Sequence, residues 1–158
     1  MEEICFWSPD EVPYGGLSNL FPRPIVIDGK SYRSAEHAIK SAQARDAEVK
    51  FWLESAPTPS LAAAGGGSLS VSEQVERWED VRLHQMRRIL MAKFSQHADL
   101  RATLFTTGDA NIVELAPYDD EINRFWSRIE GSDKGANWLG VMLVELRADL
   151  KRAEVLET

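Results

Sequence analysis

Cysteine is nearly missing from this chain: Cys5 stands alone among 158 residues. No disulfide can close within the chain, and neither a cysteine zinc site nor a redox pair is available. Histidine is almost as scarce. His37, His84 and His97 lie at unrelated spacings, so neither a metal set nor another cofactor is expected. Long apolar runs are absent too. No stretch approaches the roughly 20 residues that a bilayer demands, and no basic segment leading into an apolar one opens the chain. The expectation is a cytoplasmic protein with no membrane partner. Positive charge is in deficit, with 18 Lys and Arg against 25 Asp and Glu and a formal net charge of -7. An acidic surface repels polyanions, which disfavours general coating of nucleic acid, while a local basic pocket for one phosphate or pyrophosphate stays open.

What is present suffices for a core. Apolar residues make up 44% of the chain, with five Trp and six Phe among them, so disorder is excluded on composition. The length suits one domain, taken as residues 1–158. Residues 4–33 hold Pro9, Pro13, Gly15, Gly16, Pro22 and Pro24, which forbid long helix. Within them, residues 24–32 predict two short strands around an Asp28-Gly29 turn. Ser34 is a good N-cap for a helix running to about Leu53, with Ala35, Ala38, Ile39 and Ala42 on one face.

The low-complexity stretch Ala56–Ser70 predicts a short helix capped by Thr58 and stopped at Gly65, then a mobile glycine loop. A long helix is expected from Ser72 to about Ser95, burying Val75, Trp78, Val81, Ile89 and Phe94. A further short helix covers residues 98–106, and residues 112–115 form a brief strand or extended run. A polar, acidic loop then spans Pro117–Gly135. The last helix runs from Asn137 to about Ala153, apolar at Leu139, Met142, Leu143, Leu146 and Leu150. The fold class is mainly α: a single helical domain with a small N-terminal β element.

Four constellations are candidates to carry chemistry. Gly15–Pro22 is a glycine-led loop whose Asn19 offers both donor and acceptor, beside the aromatic Phe21. On the residues alone, an ordinary loop plugged by Phe21 is the favoured explanation. Glu36 and His37 open the helix after Ser34. An acid there gains up to about 1 kcal/mol from the helix dipole alone, and Lys40 follows at helical i+4 spacing. Trp78, Arg82 and Met86 share one helix face, as core or as a wall on which a base stacks. The fourth is an acidic run, Asp109, Glu114, Asp119, Asp120 and Glu121, followed by Arg124, Phe125 and Trp126. Two carboxylates converging on one anomeric carbon are what glycoside cleavage needs.

The order of these pieces is more telling than any one of them. GGLSNLFPRPIVIDGKSYRSAEH comes first, then WEDVR with MRRILMAKFSQH, then LFTTGDANIVE, and last GANWLGVMLVELR. From about Gly15 to Leu150 the chain resembles the NADAR, or YbiA-like, family. That resemblance implies a YbiA-like helical fold and an N-glycosidase, a hydrolase that splits the bond between C1 of a ribose and a nitrogen. Its substrates would be small nucleotide-type molecules. One branch of such enzymes takes phosphorylated ribosylamino-pyrimidine intermediates of riboflavin synthesis; another removes ADP-ribose from guanine, in nucleotides or in DNA.

Carried over by motif, Glu36 is the first catalytic candidate, with Asp119 and Lys40 beside it. Asn19, Phe21, His37, Trp78, Arg82, Trp126 and Asn137 are the substrate-binding candidates. Two departures stand out. Lys40 and Gln43 occupy the positions where the family carries Gln and then Lys, and Ser127 follows Trp126 where glycine is usual. The first departure sets up an alternative, an ADP-ribose or NAD-binding module without catalysis.

Overall fold

The computed structural model describes residues 1–158, with five short strands and seven helices. In chain order these begin with β1 (Glu3–Phe6), β2 (Ile25–Ile27), β3 (Lys30–Tyr32), α1 (Ala35–Gln43), α2 (Ala47–Ser55) and α3 (Pro59–Gly67). There follow α4 (Trp78–Gln96), α5 (Ala98–Thr106), β4 (Asn111–Ala116), α6 (Glu121–Trp126), β5 (Arg128–Ile129) and α7 (Trp138–Leu156). The mainly helical class expected from the sequence is what the chain adopts. Its contacts divide it into two compact units, one made of Met1–Ser18 with His97–Thr158, the other of Asn19–Gln96.

The first unit is built on a three-stranded parallel sheet in the order β1-β4-β5, with Glu3 opposite Asn111 and Leu115 opposite Arg128. Sequence patterning anticipated β4 and missed β1, β5 and α6. Strands of two to four residues carry too few alternations to register as a period, and α6 lies in what looks like a plain acidic loop. Asp120 caps α6, its side chain accepting from the Asn123 N–H. The expected stripe on α7 is in place: Leu139, Met142, Leu143, Leu146 and Leu150 are all buried. Gly140 lets that helix come close to β4, since a Cβ there would lie 2.0 Å from the Ile112 carbonyl oxygen. The buried Arg147 secures the end of α5, donating from Nη1 to Thr107 Oγ1 (2.7 Å) and to the Ala110 carbonyl (2.9 Å).

In the second unit the hairpin is as expected. Asp28 (φ 51°) and Gly29 (φ 78°) both take the left-handed conformation that a two-residue turn of the primed type requires. Gln96 extends the ladder: its amide accepts from the Val26 N–H at 2.8 Å and donates to the Val26 carbonyl at 2.7 Å. α1 lies at the centre, packed against α2, α3, α4 and β3. The single helix expected from Ser34 to Leu53 is in fact two. Ala44 bridges to Gln74, the Arg45 N–H donates to Glu73, and the Val75 N–H donates to Gln43. Asp46 then caps α2 through the N–H groups of Glu48 and Val49.

That same bridge delays α4. Gln74 and Val75 pair with the end of α1, Glu76 and Arg77 form a turn in which Arg77 is left-handed (φ 58°), and the helix begins at Trp78 rather than Ser72. Of the positions expected to be buried on α4, Ile89 and Phe94 are; Val81 is exposed, and Met86, Leu90 and Lys93 join the buried set. α3 does not stop at Gly65 but runs through Gly67, so the segment taken for a mobile loop is partly helix. No helix of the chain is long and apolar enough to cross a membrane.

Candidate active site

Ser34 starts the site. In extended conformation, it accepts the His37 N–H at its hydroxyl (3.2 Å) and so caps α1. His37 is buried, and both its ring nitrogens are engaged. Nδ1 lies 2.7 Å from the Ser34 hydroxyl, and Nε2 donates to the Ala56 carbonyl at 2.9 Å. His37 therefore ties α1 to the start of the α2–α3 connection, and neither nitrogen is left for a ligand.

Glu36 occupies the second position of α1, and its N–H donates to the Asn19 carbonyl at 3.0 Å. One carboxyl oxygen lies 3.8 Å from Lys40 Nζ, and the two side chains are only 13% and 9% exposed. Burial raises the Glu36 pKa above the ordinary glutamate value, against the opposing pulls of Lys40 and His37. Such a carboxyl can hold a proton where a surface glutamate has lost it.

Asn19 connects this helix start to α4. Its Nδ2 lies 3.5 Å from the Met86 sulfur, a weak acceptor, and its Oδ1 is buried with no hydrogen-bond partner at all. An orphaned amide oxygen in the interior costs about 1–3 kcal/mol, so this oxygen is a place where a donor, from water or from a bound molecule, would be accepted. Phe21 is half-buried near by in sequence, with the Arg23 guanidinium 5.7 Å from its ring centre. Trp78 and Arg82, one turn apart on α4, are both half-buried. A groove of about 430 Å³ in this unit lies elsewhere, between the hairpin and α4, lined by His84, Arg87 and Arg88. None of the candidates borders it, and its Arg88 is already neutralised by Asp28 at 2.5 Å.

The remaining candidates belong to the first unit. Asp119 is exposed and doubly held, by Arg124 Nε at 2.5 Å and Nη2 at 3.1 Å, and by Lys134 Nζ at 3.4 Å. The hydrogen bonds from Arg124, then the charges of Arg124 and Lys134, keep its pKa below the usual aspartate value. It is a carboxylate that stays ionised, and a poor proton donor. Trp126 ends α6 with its ring edge-to-face on Phe125, 4.7 Å between centres at 87°. Asn137 sits left-handed (φ 52°) before α7 and caps nothing with its side chain. Its Oδ1 accepts the Glu114 N–H at 3.0 Å, and its Nδ2 donates to the Ile112 carbonyl at 2.9 Å. The amide acts as a pseudo-strand beside β4, and both of its ends are taken.

Glu36, His37, Lys40 and Asn19 are thus gathered at one helix start, and each has a local reason to be there. Sequence reading passed over Ser34 as a partner for His37 and Met86 as a neighbour of Asn19. The Ser34-x-x-His37 spacing was the available signal for the first; nothing local signalled the second.

Comparison with known proteins places this geometry in context. The family model described as NADAR domain matches residues 5–151. The protein named N-glycosidase YbiA from Escherichia coli (strain K12) is 36% identical over 147 residues, which is 93% of this chain and 88% of that protein. A riboflavin biosynthesis protein of Vibrio vulnificus (strain YJ016) is 29% identical over 156 residues, covering 95% of this chain and 39% of that longer protein. The NMR structure of the E. coli protein YbiA superposes with a TM-score of 0.85 at 34% identity, over 98% of this chain and 88% of that one.

Proposed function

The chain belongs to the NADAR domain family, and on that premise we propose that it is an N-glycosidase hydrolysing the bond between C1 of a ribose and a base or amine nitrogen. The observation that carries this reading is the Glu36 carboxyl: nearly buried, pushed toward its protonated form and 3.8 Å from an ammonium, on a helix start whose backbone is bonded to Asn19, a residue with an unpartnered amide oxygen. As the C1–N bond lengthens, the sugar becomes oxocarbenium-like and the nitrogen gathers electrons. A carboxyl still holding its proton can deliver it to that nitrogen, and the carboxylate left behind then faces a cationic sugar carbon. Water adds to C1 and gives up a proton to the Glu36 carboxylate, which restores the acid and completes the hydrolysis.

Asn19 Oδ1 accepts a hydroxyl or amine proton of the substrate, and Trp78 stacks on its flat base. The cationic neighbours of Asp119 keep it ionised and bar it from acting as the acid. The substrate is a small phosphorylated ribosylamine of the kind met in riboflavin synthesis. ADP-ribosyl-guanine, free or in DNA, is the competing class, and the net charge of -7 favours the small molecule over a long polyanion.

The test is release of free base, followed chromatographically on both substrate classes. Glu36→Gln is expected to lower turnover by about two to three orders of magnitude, the usual effect of removing one well-placed electrostatic group, with its circular dichroism unchanged. Full activity in that variant removes Glu36 from the chemistry. Gln43, standing where the family carries lysine, is the feature favouring the second reading, a binding module without turnover. Tight binding of ADP-ribose by calorimetry with no base released over hours would select it.

A further inference from the structure

α3 ends in three consecutive glycines, Gly65, Gly66 and Gly67, all inside the helix. Glycine is the poorest helix former after proline, so three in a nine-residue helix ask for a reason, and packing supplies it for two. A Cβ on Gly65 would sit 2.3 Å from the Trp52 ring. A Cβ on the buried Gly66 would sit 2.4 Å from Cδ, 2.7 Å from Cγ and 2.8 Å from Cβ of Lys40. The Lys40 stem therefore lies flat on bare backbone of α3. At its far end is the ammonium, 3.8 Å from Glu36.

A lysine stem has four rotatable bonds and no intrinsic reason to choose one course. The i+4 spacing alone brings Lys40 and Glu36 to the same face without selecting a rotamer. The bed on α3 selects it. We propose that Gly66 is a positioning residue of the site: its missing side chain lets Lys40 lie against α3, and so sets the ammonium beside the Glu36 carboxyl. The term "site" here rests on the N-glycosidase reading, but the geometry does not. Because the blocked volume reaches back to Lys40 Cβ, which is tethered to α1, the stem cannot simply swing aside while α3 stays in place.

The experiment is a titration of the Glu36 carboxyl by ¹³C NMR in the full chain without substrate, repeated in Gly66→Ala, Lys40→Gly, the double variant and Gly67→Ala. Lys40 holds the Glu36 pKa down, so displacing the ammonium raises it. Gly66→Ala and Lys40→Gly are each expected to move the titration upward, and the double variant no further than Lys40→Gly alone. Gly67→Ala, at an exposed position, is expected to move nothing. The pH dependence of base release should shift in the same direction in Gly66→Ala, with kcat/KM falling by about tenfold to a hundredfold, the range for a group displaced by an ångström or less.

An unmoved titration in Gly66→Ala, or a shift that adds to that of Lys40→Gly, overturns the proposal. Should Gly66→Ala fail to fold, the double variant is expected to recover folding, and one that stays unfolded overturns it equally. A wild-type chain that releases no base but shows the coupled titrations sinks the glycosidase reading and leaves the role of Gly66 standing.

Discussion

At the scale of single residues, Glu36 carries opposite consequences for stability and for rate. Its folded-state pKa lies above the unfolded one because burial disfavours the charge. The protonated carboxyl is therefore the form the fold prefers. Its contribution is whole below the ordinary glutamate pKa of about 4.3 and is lost as pH rises through the raised, folded value. Glu36→Gln, which never ionises, should match the wild type in thermal melts near pH 4 and melt higher at pH 8. A lower melting temperature at pH 8 would mean that the carboxylate is welcome where it sits. The same protonation governs the chemistry. If Glu36 is the acid, kcat/KM declines as pH climbs through its pKa, and that alkaline limb is absent from the residual rate of Glu36→Gln. A profile rising across that range would make the carboxylate, not the acid, the working form.

Elements teach a different lesson, since their existence follows from local pattern and their ends from distant partners. The last helix was legible from its apolar spacing, and the hairpin from Asp28-Gly29. The division of α1 from α2 was not. Residues 43–46 have nothing in them that forbids helix; what breaks it is hydrogen bonding to residues 73–75, some thirty positions away in sequence. The motif around Asn137 shows the same dependence. Asn137 is a substrate-binding candidate by sequence, and its partners turn out to be the backbone of β4, which α7 reaches only because Gly140 has no side chain. Gly140→Ala would place a carbon against the Ile112 carbonyl and the Asn137 amide. A loss of about 1–3 kcal/mol is expected from such overpacking, despite the better helix propensity of alanine, measured as a lower midpoint in urea with unchanged m-value. No loss would mean that α7 can retreat from β4 at little cost.

For the molecule as a whole, the expectation of a site translates into linkage. A ligand that binds only the folded chain stabilises it by about 2.7 kcal/mol at a hundred times its Kd. A phosphorylated ribosylamino-pyrimidine at that excess should raise the melting temperature by several degrees, and Asn19→Ala should reduce the rise without lowering the melting point of the free protein by much. A melting curve indifferent to that compound and to ADP-ribose alike would favour a helical interaction domain, in which the motif residues serve the fold alone. The matching relatives and the arrangement of Glu36, Lys40 and Asn19 weigh against that outcome.

Composition, periodicity and motif order were enough to determine the mainly helical class, most of the helices, the hairpin and the family, because those properties are written in neighbours along the chain. They also brought Glu36 forward, through its place in a helix-opening motif. What they could not contain is environment. That Glu36 is desolvated while Asp119 is held ionised by Arg124 and Lys134, that both nitrogens of His37 are taken, that Asn19 has an oxygen with no partner and that Gly66 makes room for Lys40 are facts about which surfaces meet. A pKa or an unmet hydrogen bond depends on the dielectric and the donors within a few ångströms. Those come from residues far apart in sequence, and only the folded chain brings them together.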